Sequence, residues 1–480
     1  MFYQRFQFWG RATPDAIAVI SGAHVVTYAQ ALRRVDWVAA RLNAAGVRPG
    51  HHVIVPKARH VLGLVTQFAL DKIGASSCYL ADQPPWIDWR VVHEPTDEPR
   101  ALLVSPGIEA AMAKEPLPRD LPAHAWDDRA PSRVQSSSGS TGRPKSILRC
   151  YASIRDGMAN HQVLFGLAPG ARCAAMLDWS GPGLNLKTNA WMHGATLVVP
   201  DPKQGLLAQA AVHKVSILCA SPMFLQTLAA HTPRMRALPG LRLLLYGGRA
   251  PAALLQRLAQ EVTPDVYVVY GSTETGSNIA SWMGGPNPPD RTVGYVIPGC
   301  GVEVIDEATR LPCGPGQIGH VRTAVHVPGA DGYVDDAGQL HPYQPSDPAW
   351  FATGDLGFFA EDGALHIAGR EDDVVNLGGL KLVTSDLEDV VIRSGHTLQQ
   401  AVFNVASGSG PPHVCAAVVP RPGVDLAAVR QALKAAYPRL ANVRILGFEQ
   451  LPMLANGKVD YPSLRKAAAQ RQERTPAALD

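Results

Sequence analysis

Residues 241–271 read LRLLLYGGRAPAALLQRLAQEVTPDVYVVYG, and this stretch decides the class of fold. An apolar run meets two adjacent glycines, a helical pattern follows a proline, and the β-branched and aromatic run VYVVYG completes the unit. Short apolar runs bounded by turn residues predict buried strands, and proline is favoured in the first turn of a helix. The stretch therefore predicts strand, helix and strand, which is the repeating unit of an α/β fold with a parallel sheet.

The same alternation occurs from about residue 15 to residue 105, where AIAVI and HHVIV each precede a helical pattern. Residues 285–350 change to glycine, proline and short alternating segments, which predicts an antiparallel β region. After GALHIAGRED a new α+β pattern begins, with the helical segments TSDLEDVVIRS and DLAAVRQALKAAY and the strand VCAAVVP. The polar, Ala-rich residues 465–480 are predicted to form a frayed tail.

Length and composition indicate a soluble globular protein of two or more domains. The chain has 480 residues, of which 46% are hydrophobic and 18% charged. A net charge of +3 does not indicate nucleic acid or an anionic membrane as the main partner. Seven scattered cysteines without a CxxC pair favour reduced thiols over a disulfide framework or a zinc site. Because neither a signal peptide nor a membrane-spanning run is found, we expect a cytoplasmic protein.

Residues 136–146, SSSGSTGRPKS, have the composition of a phosphate-binding loop. Small hydroxyl and glycine residues allow backbone and side-chain donors to converge on phosphate oxygens, and Lys145 adds a positive charge. The same composition occurs in solvated Ser/Gly loops, so composition alone leaves both interpretations open. The stretch is not a Walker-type P-loop, because Arg143 and Pro144 separate Gly142 from the lysine. A GxSxG nucleophile motif is also absent from it.

Six further segments of the chain, one before this loop and five after it, are considered together with it. They are TYAQALRRV (27–35), YGSTETG (270–276), TGDLG (353–357), GREDD (369–373), VNLGGLKL (375–382) and NGKVD (456–460). Together with STGRPK they resemble the motif series of the adenylate-forming superfamily, which includes acyl-CoA synthetases, luciferases and the adenylation domains of nonribosomal peptide synthetases. The resemblance extends over nearly the whole chain. It implies a large N-terminal domain (1–371) of α/β subdomains plus a β-rich subdomain, and a small mobile α+β C-terminal domain (372–480).

The resemblance implies a site for ATP. The implied contacts are Ser138, Ser140, Thr141, Gly142, Lys145, Gly248, Arg249, Ala250, Tyr270, Gly271, Ser272, Asp355 and Arg370. Tyr270 would lie beside the adenine, and Asp355 would accept the ribose hydroxyls. Thr273 would touch the nucleotide phosphate, and Glu274 would help to hold Mg²⁺, a cation that prefers carboxylate and phosphate oxygens. Taken alone, YGSTETG also fits a strand that ends in a helix-capping turn.

The resemblance also implies two half-reactions. Lys458 would neutralise charge at the α-phosphate while a substrate carboxylate attacks it and pyrophosphate leaves. Asp372 would be the hinge about which the C-terminal domain then swings. Gly378, Gly379 and Lys381 would line the tunnel for the pantetheine thiol of CoA or of a carrier protein.

Residues 176–187, MLDWSGPGLNLK, occupy the place of the acid pocket and depart from the family patterns. LDWS fits the amino-acid-activating form, with Asp178 as the partner of a substrate ammonium, but the spacing to the next Gly-Ala pair is long for that alignment. The aromatic–His form would place Trp179 and Ser180 at the pair without a histidine, and Asp178 as the cap of a turn is equally open. With Ser277 and Asn278, these residues predict a pocket for a small, partly polar carboxylic acid.

No phosphopantetheine serine motif follows Lys458, so we expect a stand-alone acid ligase whose thiol acceptor is CoA or a separate carrier protein. An amino-acid-adenylating enzyme that loads a separate peptidyl carrier protein is an alternative, as are other acceptors such as amines. A nucleotide-binding scaffold without turnover is a further alternative. Lys458, Glu274 and Asp355 argue against the scaffold, because the resemblance implies a role in turnover for each.

Overall fold

The protein is described here by a computed structural model. The described residues are all except 1, 56–59, 81, 93, 95, 97, 99, 105–111, 113–120, 126, 138–144, 178–180, 202, 233, 249, 283–291, 344–346, 348, 378–379, 406–412, 439, 441–442, 455–458 and 474–480. Only the backbone is described at residues 60, 137, 231, 277–282, 375–377, 380–382 and 471–473.

Helices and strands alternate over much of the chain. The helices are α1 (Phe2–Ala12), α2 (Tyr28–Ala44), α3 (His60–Ile73), α4 (Tyr151–Phe165), α5 (Gly181–Met192), α6 (Leu206–Val212), α7 (Pro222–His231), α8 (Ala252–Glu261), α9 (Thr384–Arg393), α10 (Leu426–Ala436) and α11 (Tyr461–Glu473). The strands are β1 (Ile17–Ser21), β2 (His24–Thr27), β3 (His52–Ile54), β4 (Ser76–Tyr79), β5 (Trp89–Val92), β6 (Ala101–Leu103), β7 (Pro131–Ser137), β8 (Lys145–Cys150), β9 (Arg172–Ala175), β10 (Thr196–Val199), β11 (Ile217–Ala220), β12 (Arg242–Tyr246), β13 (Val266–Ser272), β14 (Gly276–Trp282), β15 (Thr292–Val296), β16 (Val302–Ile305), β17 (Gly319–Ala324), β18 (Gly332–Val334), β19 (Leu340–Pro342), β20 (Trp350–Phe359), β21 (Leu365–Arg370), β22 (Val374–Leu377), β23 (Leu380–Val383), β24 (Thr397–Val405), β25 (His413–Pro420) and β26 (Val443–Gly447).

Two large sheets organise the chain as far as residue 370. Thirteen described strands form the first, in the order β16-β17-β20-β21-β15-β14-β13-β12-β11-β9-β10-β1-β2. Eight form the second, in the order β19-β18-β8-β7-β4-β3-β5-β6. The neighbours from β1 through β10, β9, β11 and β12 to β13 are parallel, which confirms the α/β class.

β12, α8 and β13 are the strand, helix and strand predicted from residues 241–271. β12 and β13 are parallel neighbours, with Leu243 opposite Val266. α8 buries Leu254 and Leu258 in the same apolar cluster as these strands. Since the carboxyl ends of both strands lie at one edge of the sheet, the loops that follow them lie close together.

The antiparallel region predicted for residues 285–350 is confirmed in its described part, and it serves both large sheets. β16, β17, β20 and β21 extend the first sheet as antiparallel strands. β18 instead pairs with β8 in the second sheet, with Tyr333 opposite Ile147. Because β8 begins at Lys145, this pairing brings a distant segment beside the predicted phosphate loop.

The first helix, α1, was not predicted, although its sequence contains the signal. Phe2, Tyr3 and Phe6 are buried, and the spacing of four between the two phenylalanines places them on one face of a helix. The ring of Phe6 stacks on Trp191, with centroids 4.7 Å apart. The backbone N–H of Tyr3 donates to the Asp71 carboxylate at 2.6 Å, which fixes the start of the helix.

The C-terminal segment forms two smaller sheets after a 3-10 turn at Glu371–Asp373. β22 and β23 form a hairpin, and β24, β25 and β26 form a separate sheet that packs against α9, α10 and α11. The predicted α+β pattern is therefore present, while the domain boundary at residue 372 stays a prediction. Gln399 on β24 donates from Nε2 to Thr227 Oγ1 on α7 at 2.7 Å, so this segment contacts the larger part of the chain.

The prediction of a frayed tail is wrong for residues 465–473, which continue α11. Leu464 and Ala468 are fully buried and pack in one apolar cluster with Phe403. Their spacing of four residues places both on the face that meets the sheet, and burial of that face stabilises the helix despite its polar composition. The remainder of the predicted tail, residues 474–480, lies outside the described residues.

All seven cysteines are free thiols. Among the helices that the structure describes, none combines the length and the apolar composition needed to cross a membrane.

Candidate active site

A cavity of about 800 Å³ lies beyond the carboxyl ends of β12 and β13, where α/β folds bind their ligands. Its volume falls in the range of roughly 300–1,000 Å³ typical of small-molecule sites. The predicted site residues that line it are Lys145, Gly248, Ala250, Tyr270, Gly271, Ser272, Thr273, Glu274, Asp355, Arg370 and Asp372. The fold thus brings together all of the described residues that were predicted to contact the nucleotide.

Other predicted residues lie outside the described part of the chain. These are Ser138, Ser140, Thr141, Gly142, Asp178, Trp179, Ser180, Arg249, Gly378, Gly379 and Lys458. For Ser277, Asn278 and Lys381 only the backbone is described, on β14 and β23. The choice between the two alignments of the acid pocket therefore stays open.

The two glycines between β12 and α8 form a turn, and this turn is part of the cavity wall. Gly247 and Gly248 have φ angles of +81° and +147°, in the region that favours glycine. Apart from its two chain neighbours, no described residue has a heavy atom within 4 Å of the position that a Cβ would take at Gly248. The wall is therefore open backbone, against which a flat base can pack.

Asp355 also lines the cavity, and two donors hold its carboxylate. Tyr270 donates its hydroxyl to Asp355 Oδ2 at 2.6 Å, and Arg370 donates from Nη1 to Oδ1 at 3.3 Å. Burial, with the charge of Asp355, raises the pKa of Tyr270 well above its ordinary value, so this phenol stays a donor at neutral pH. Gly354 is in the left-handed region, and a Cβ there would lie 2.9 Å from Arg370 Nη2. The result is an oriented carboxylate, which is suited to accept hydroxyl groups.

YGSTETG forms the turn of a β-hairpin between β13 and β14, so the helix-capping interpretation is wrong. No helix follows, because Ser272 pairs with Gly276 across the turn. The hydroxyls of Ser272 and Thr275 lie 3.0 Å apart and close the turn. Thr273 and Glu274 occupy its tip and line the cavity.

Two tyrosines that sequence patterns did not identify surround Glu274. Tyr333 donates to Glu274 Oε1 at 3.4 Å, and Tyr343 donates to the Glu274 carbonyl oxygen at 3.3 Å. The two rings meet edge to face, with centroids 5.2 Å apart, and Lys145 Nζ lies 4.7 Å from the centroid of Tyr333. No local pattern distinguishes these tyrosines, because their place depends on the pairing of β18 with β8.

Glu274 and Lys145 form a suitable site for Mg²⁺ that is bound together with phosphate groups. Glu274 supplies one carboxylate, and among the described residues its Oε2 accepts no hydrogen bond. Mg²⁺ typically binds through one or two carboxylates, with waters and substrate phosphates as its other ligands. Lys145 lies on the same side of the cavity and supplies a cation for phosphate oxygens.

The C-terminal segment forms a further part of the cavity wall. Leu454, Val459 and Arg465 line the cavity, and Met453 and Val459 form an isolated antiparallel bridge. Residues 453 and 459 are therefore neighbours beside the cavity. Of the motif NGKVD, Val459 and Asp460 are described, while residues 456–458, including its lysine, lie outside the described residues.

The predicted hinge residue, Asp372, is exposed in the 3-10 turn between β21 and β22. Its neighbour Glu371 lies 3.6 Å from His320 Nδ1, and Glu307 lies 3.6 Å from the other ring nitrogen. Burial raises the pKa of Asp373, although nearby arginines oppose the shift. The turn thus has one side in solvent and one side held by the larger part of the chain.

A buried ion pair supports the hairpin from behind. Arg149 and Asp331 are almost fully buried, with Nε and Oδ2 3.7 Å apart. Arg149 also donates from Nη2 to the Ser153 carbonyl oxygen at 3.0 Å. Its Nη1 lies 3.4 Å from the position of a Cβ at Gly276, so the guanidinium packs directly against the hairpin between β13 and β14. Sequence patterns did not predict this pair.

The chain is similar to known proteins in sequence and in fold. A family model described as AMP-binding enzyme matches residues 6–326. CymA of Salinispora arenicola, described as a probable non-canonical nonribosomal peptide synthetase, is 30% identical over 96% of this chain, which corresponds to 6% of its own length. 2-Succinylbenzoate–CoA ligase of Bacillus licheniformis is 25% identical over 82% of this chain and 84% of its own length.

The chain spans 6%, 9% and 21% of the length of CymA, malpibaldin synthetase and a dimodular nonribosomal peptide synthase, respectively. Among solved structures, the ATP-bound chimera RpMatB-BxBclM B1 has a TM-score of 0.83 at 21% identity, over 97% of this chain and 98% of that chain. Amide bond synthetase McbA of Marinactinospora thermotolerans has a TM-score of 0.77 at 20% identity, over 96% and 99%. These structural similarities show a shared fold.

Proposed function

The chain belongs to the AMP-binding enzyme family, and from this premise we propose that it is an ATP-dependent acid ligase. It would convert a small carboxylic acid and ATP to an acyl-adenylate and pyrophosphate, and then transfer the acyl group to a pantetheine thiol of CoA or of a carrier protein. One observation carries the proposal. A single cavity is lined both by the oriented carboxylate of Asp355 and by Lys145 and Glu274, which contact the ring and the hydroxyl of Tyr333.

These two groups of residues suit the two ends of ATP. The ribose hydroxyls would donate to Asp355, and the adenine would pack between the Gly247–Gly248 backbone and Tyr270. Lys145 would bind the β- and γ-phosphates together with the donors of residues 138–144. Mg²⁺, held by Glu274 and phosphate oxygens, would neutralise charge on the pyrophosphate group.

Adenylate formation brings two anions together, so it needs cations and N–H or O–H donors more than acid–base groups. Thr273, at the tip of the hairpin, would donate to the α-phosphate. We assign Lys458 to the same phosphate and to the substrate carboxylate, because the described residues on either side of it line the cavity or adjoin it. Both contacts would stabilise the charge that develops as pyrophosphate leaves.

Transfer to the thiol would follow a swing of the C-terminal segment about Asp372, with residues 372–480 as the moving domain. Such a swing would break the hydrogen bond from Gln399 to Thr227 and the one from Ser385 Oγ to the Ala368 carbonyl oxygen. Lys458 would leave the site, and Gly378, Gly379 and Lys381 would enter it to form the thiol tunnel. Admission of the thiol only after activation would protect the adenylate from premature attack.

Amino-acid activation for a carrier protein is the second candidate, and the 30% identity to CymA favours it. It requires a partner for the substrate ammonium, and Asp178 is the proposed one. For both candidates we propose a cytoplasmic location, because seven free thiols suit a reducing compartment.

Pyrophosphate release from Mg-ATP, with hydroxylamine as the acceptor, tests the proposal across amino acids, aryl acids, hydroxy acids and short to long fatty acids. Turnover with plain carboxylic acids supports the acid ligase, whereas turnover confined to amino acids supports the second candidate. CoA and a phosphopantetheinylated carrier protein, offered in parallel to the active acid, distinguish the two thiol acceptors. Lys458→Ala should abolish most of the release, and the exposed Lys203→Ala is its matched control. Absence of release from every acid, together with absence of AMP binding, would refute the proposed activity.

A further inference from the structure

Tyr333 lies in a strand that is hydrogen-bonded on both sides. It is opposite Ile147 of β8 on one side and His341 of β19 on the other. At Gly332 a Cβ would lie 2.2 Å from the His341 carbonyl oxygen, so the strands are as close as glycine allows. Since β8 begins at Lys145, the backbone of Tyr333 is fixed relative to this lysine.

The ring of Tyr333 faces the ammonium group of Lys145. The distance from Nζ to the ring centroid is 4.7 Å, which is within the range of a cation–π contact. Lysine is otherwise a hydrated charge on a flexible stem. The ring therefore restricts the position of a cation that would be mobile without it.

The hydroxyl of Tyr333 faces Glu274. Its distance to Oε1, 3.4 Å, is long for an O–H···O bond, and such contacts in unliganded sites often shorten when the ligand binds. Burial raises the pKa of Tyr333, and the nearby Glu274 raises it further, so the phenol remains protonated at neutral pH. Tyr343 packs edge to face on the ring and donates to the main chain of Glu274, which holds both partners in place.

Tyr333 also separates two opposite charges. Lys145 and Glu274 both line the cavity, yet within the described part of the chain they form no salt bridge with each other. A direct contact between them would neutralise the groups that phosphate and metal require. A neutral aromatic residue that contacts both groups keeps the two charges available.

We propose that Tyr333 is a positioning residue for adenylate formation, a role that rests on the proposed function. Its ring holds Lys145 and its hydroxyl holds Glu274 on the two sides of the space for the β- and γ-phosphates. Tyr333 has no bond to make or break in this role, and it acts through the placement of the two charged side chains.

Binding measurements on the full chain test this role independently of turnover. The ligands are AMP without metal and α,β-methylene-ATP with Mn²⁺, whose bound fraction is read by electron paramagnetic resonance. AMP lacks the β- and γ-phosphates, so its affinity should be the same in wild type, Tyr333→Phe and Tyr333→Leu. Tyr333→Phe keeps the spacer and loses the donor to Glu274, so Mn²⁺ affinity in the nucleotide complex should fall about 3- to 10-fold.

Tyr333→Leu removes the ring as well, which would permit contact between Lys145 and Glu274. It should lower the affinity for the metal-free triphosphate analogue about 10-fold, a loss that disappears when Lys145→Ala is already present. Tyr295→Phe is the control, because Tyr295 is exposed and its hydroxyl meets Asp362 outside the cavity.

The possible results distinguish the positioning role of Tyr333 from the proposed function of the protein. Unchanged Mn²⁺ affinity in Tyr333→Phe, or an equal loss of AMP and triphosphate binding in Tyr333→Leu, would overturn the positioning role while the proposed function stands. Wild-type protein that binds neither nucleotide would overturn the proposed function and the positioning role with it. Selective loss of metal and triphosphate binding, with unchanged AMP affinity, supports both.

Discussion

His161 should make the protein less stable in mild acid. Its imidazole is 1% exposed in α4, where Nδ1 lies 2.5 Å from the Gly157 carbonyl oxygen. Burial lowers the pKa of this imidazole from 6.5 to about 4, and the neighbouring Arg149 lowers it further. Below pH 6.5 the unfolded chain therefore gains a proton at this residue that the folded chain does not take up. The free energy of unfolding should fall by about 2 kcal/mol from this group between pH 7 and pH 5.

Urea unfolding at pH 7 and pH 5 measures this contribution in wild type, His161→Leu and His24→Leu. The leucine at position 161 does not titrate, so this variant should lose about 2 kcal/mol less than wild type on acidification. Other imidazoles with lowered pKa values, such as that of His326, contribute equally to all three proteins and cancel. His24 is exposed, and its variant should follow wild type. An equal loss in wild type and His161→Leu would show that the imidazole is charged or hydrated in the folded state.

Three further variants test the proposed site and the corrected fold. Lys458→Ala should slow pyrophosphate release about 10²- to 10³-fold with little change in AMP affinity, as measured by single-turnover kinetics and calorimetry; a parallel loss of AMP binding would contradict its assignment to the reacting phosphate. Asp355→Ala should weaken AMP binding about 10- to 100-fold and remove the preference for AMP over its 2′-deoxy analogue; a preserved preference would place the ribose elsewhere. Leu464→Ala should lower the free energy of unfolding, measured in urea, by about 2–5 kcal/mol, because Leu464 is fully buried. Gln470→Ala is the control and should leave this free energy unchanged, since Gln470 is exposed. If neither variant changed it, the interpretation of this segment as a frayed tail would be correct.

Sequence predicted those parts of the fold whose signal is local. β12, α8 and β13 follow from apolar runs, a proline and two glycines within 31 contiguous residues, 241–271. The nucleotide contacts of YGSTETG and TGDLG were predicted from the family resemblance, and both segments line the same cavity. The hairpin at Ser272–Gly276 could not, since the same Ser/Thr and Glu residues are equally suited to a helix cap.

The features that were missed depend on contacts between distant segments. Tyr333 lies in the site because β18 belongs to the second sheet and pairs there with β8, which is about 185 residues earlier in the chain. An arginine such as Arg149 is expected at the surface when only the sequence is known. It is buried because Asp331 pairs with its charge and because Gly276 leaves room for its guanidinium. The helix α11 was missed because residues 465–473 are mostly polar, and its contacts with the core through Leu464 and Ala468 depend on the distant strand β24.

The site holds both of its key carboxylates with neutral phenols. Tyr270 donates to Asp355 at 2.6 Å, and Tyr333 donates to Glu274 at 3.4 Å, while burial raises the pKa of each phenol. A buried lysine or arginine at these positions would orient the carboxylates equally well but would cancel their charge. Arg370, the cation that does contact Asp355, has a side chain 45% exposed, and solvent screens its charge. Phenol donors thus fix the direction of each carboxylate and preserve the charge that a ribose hydroxyl or a metal ion requires.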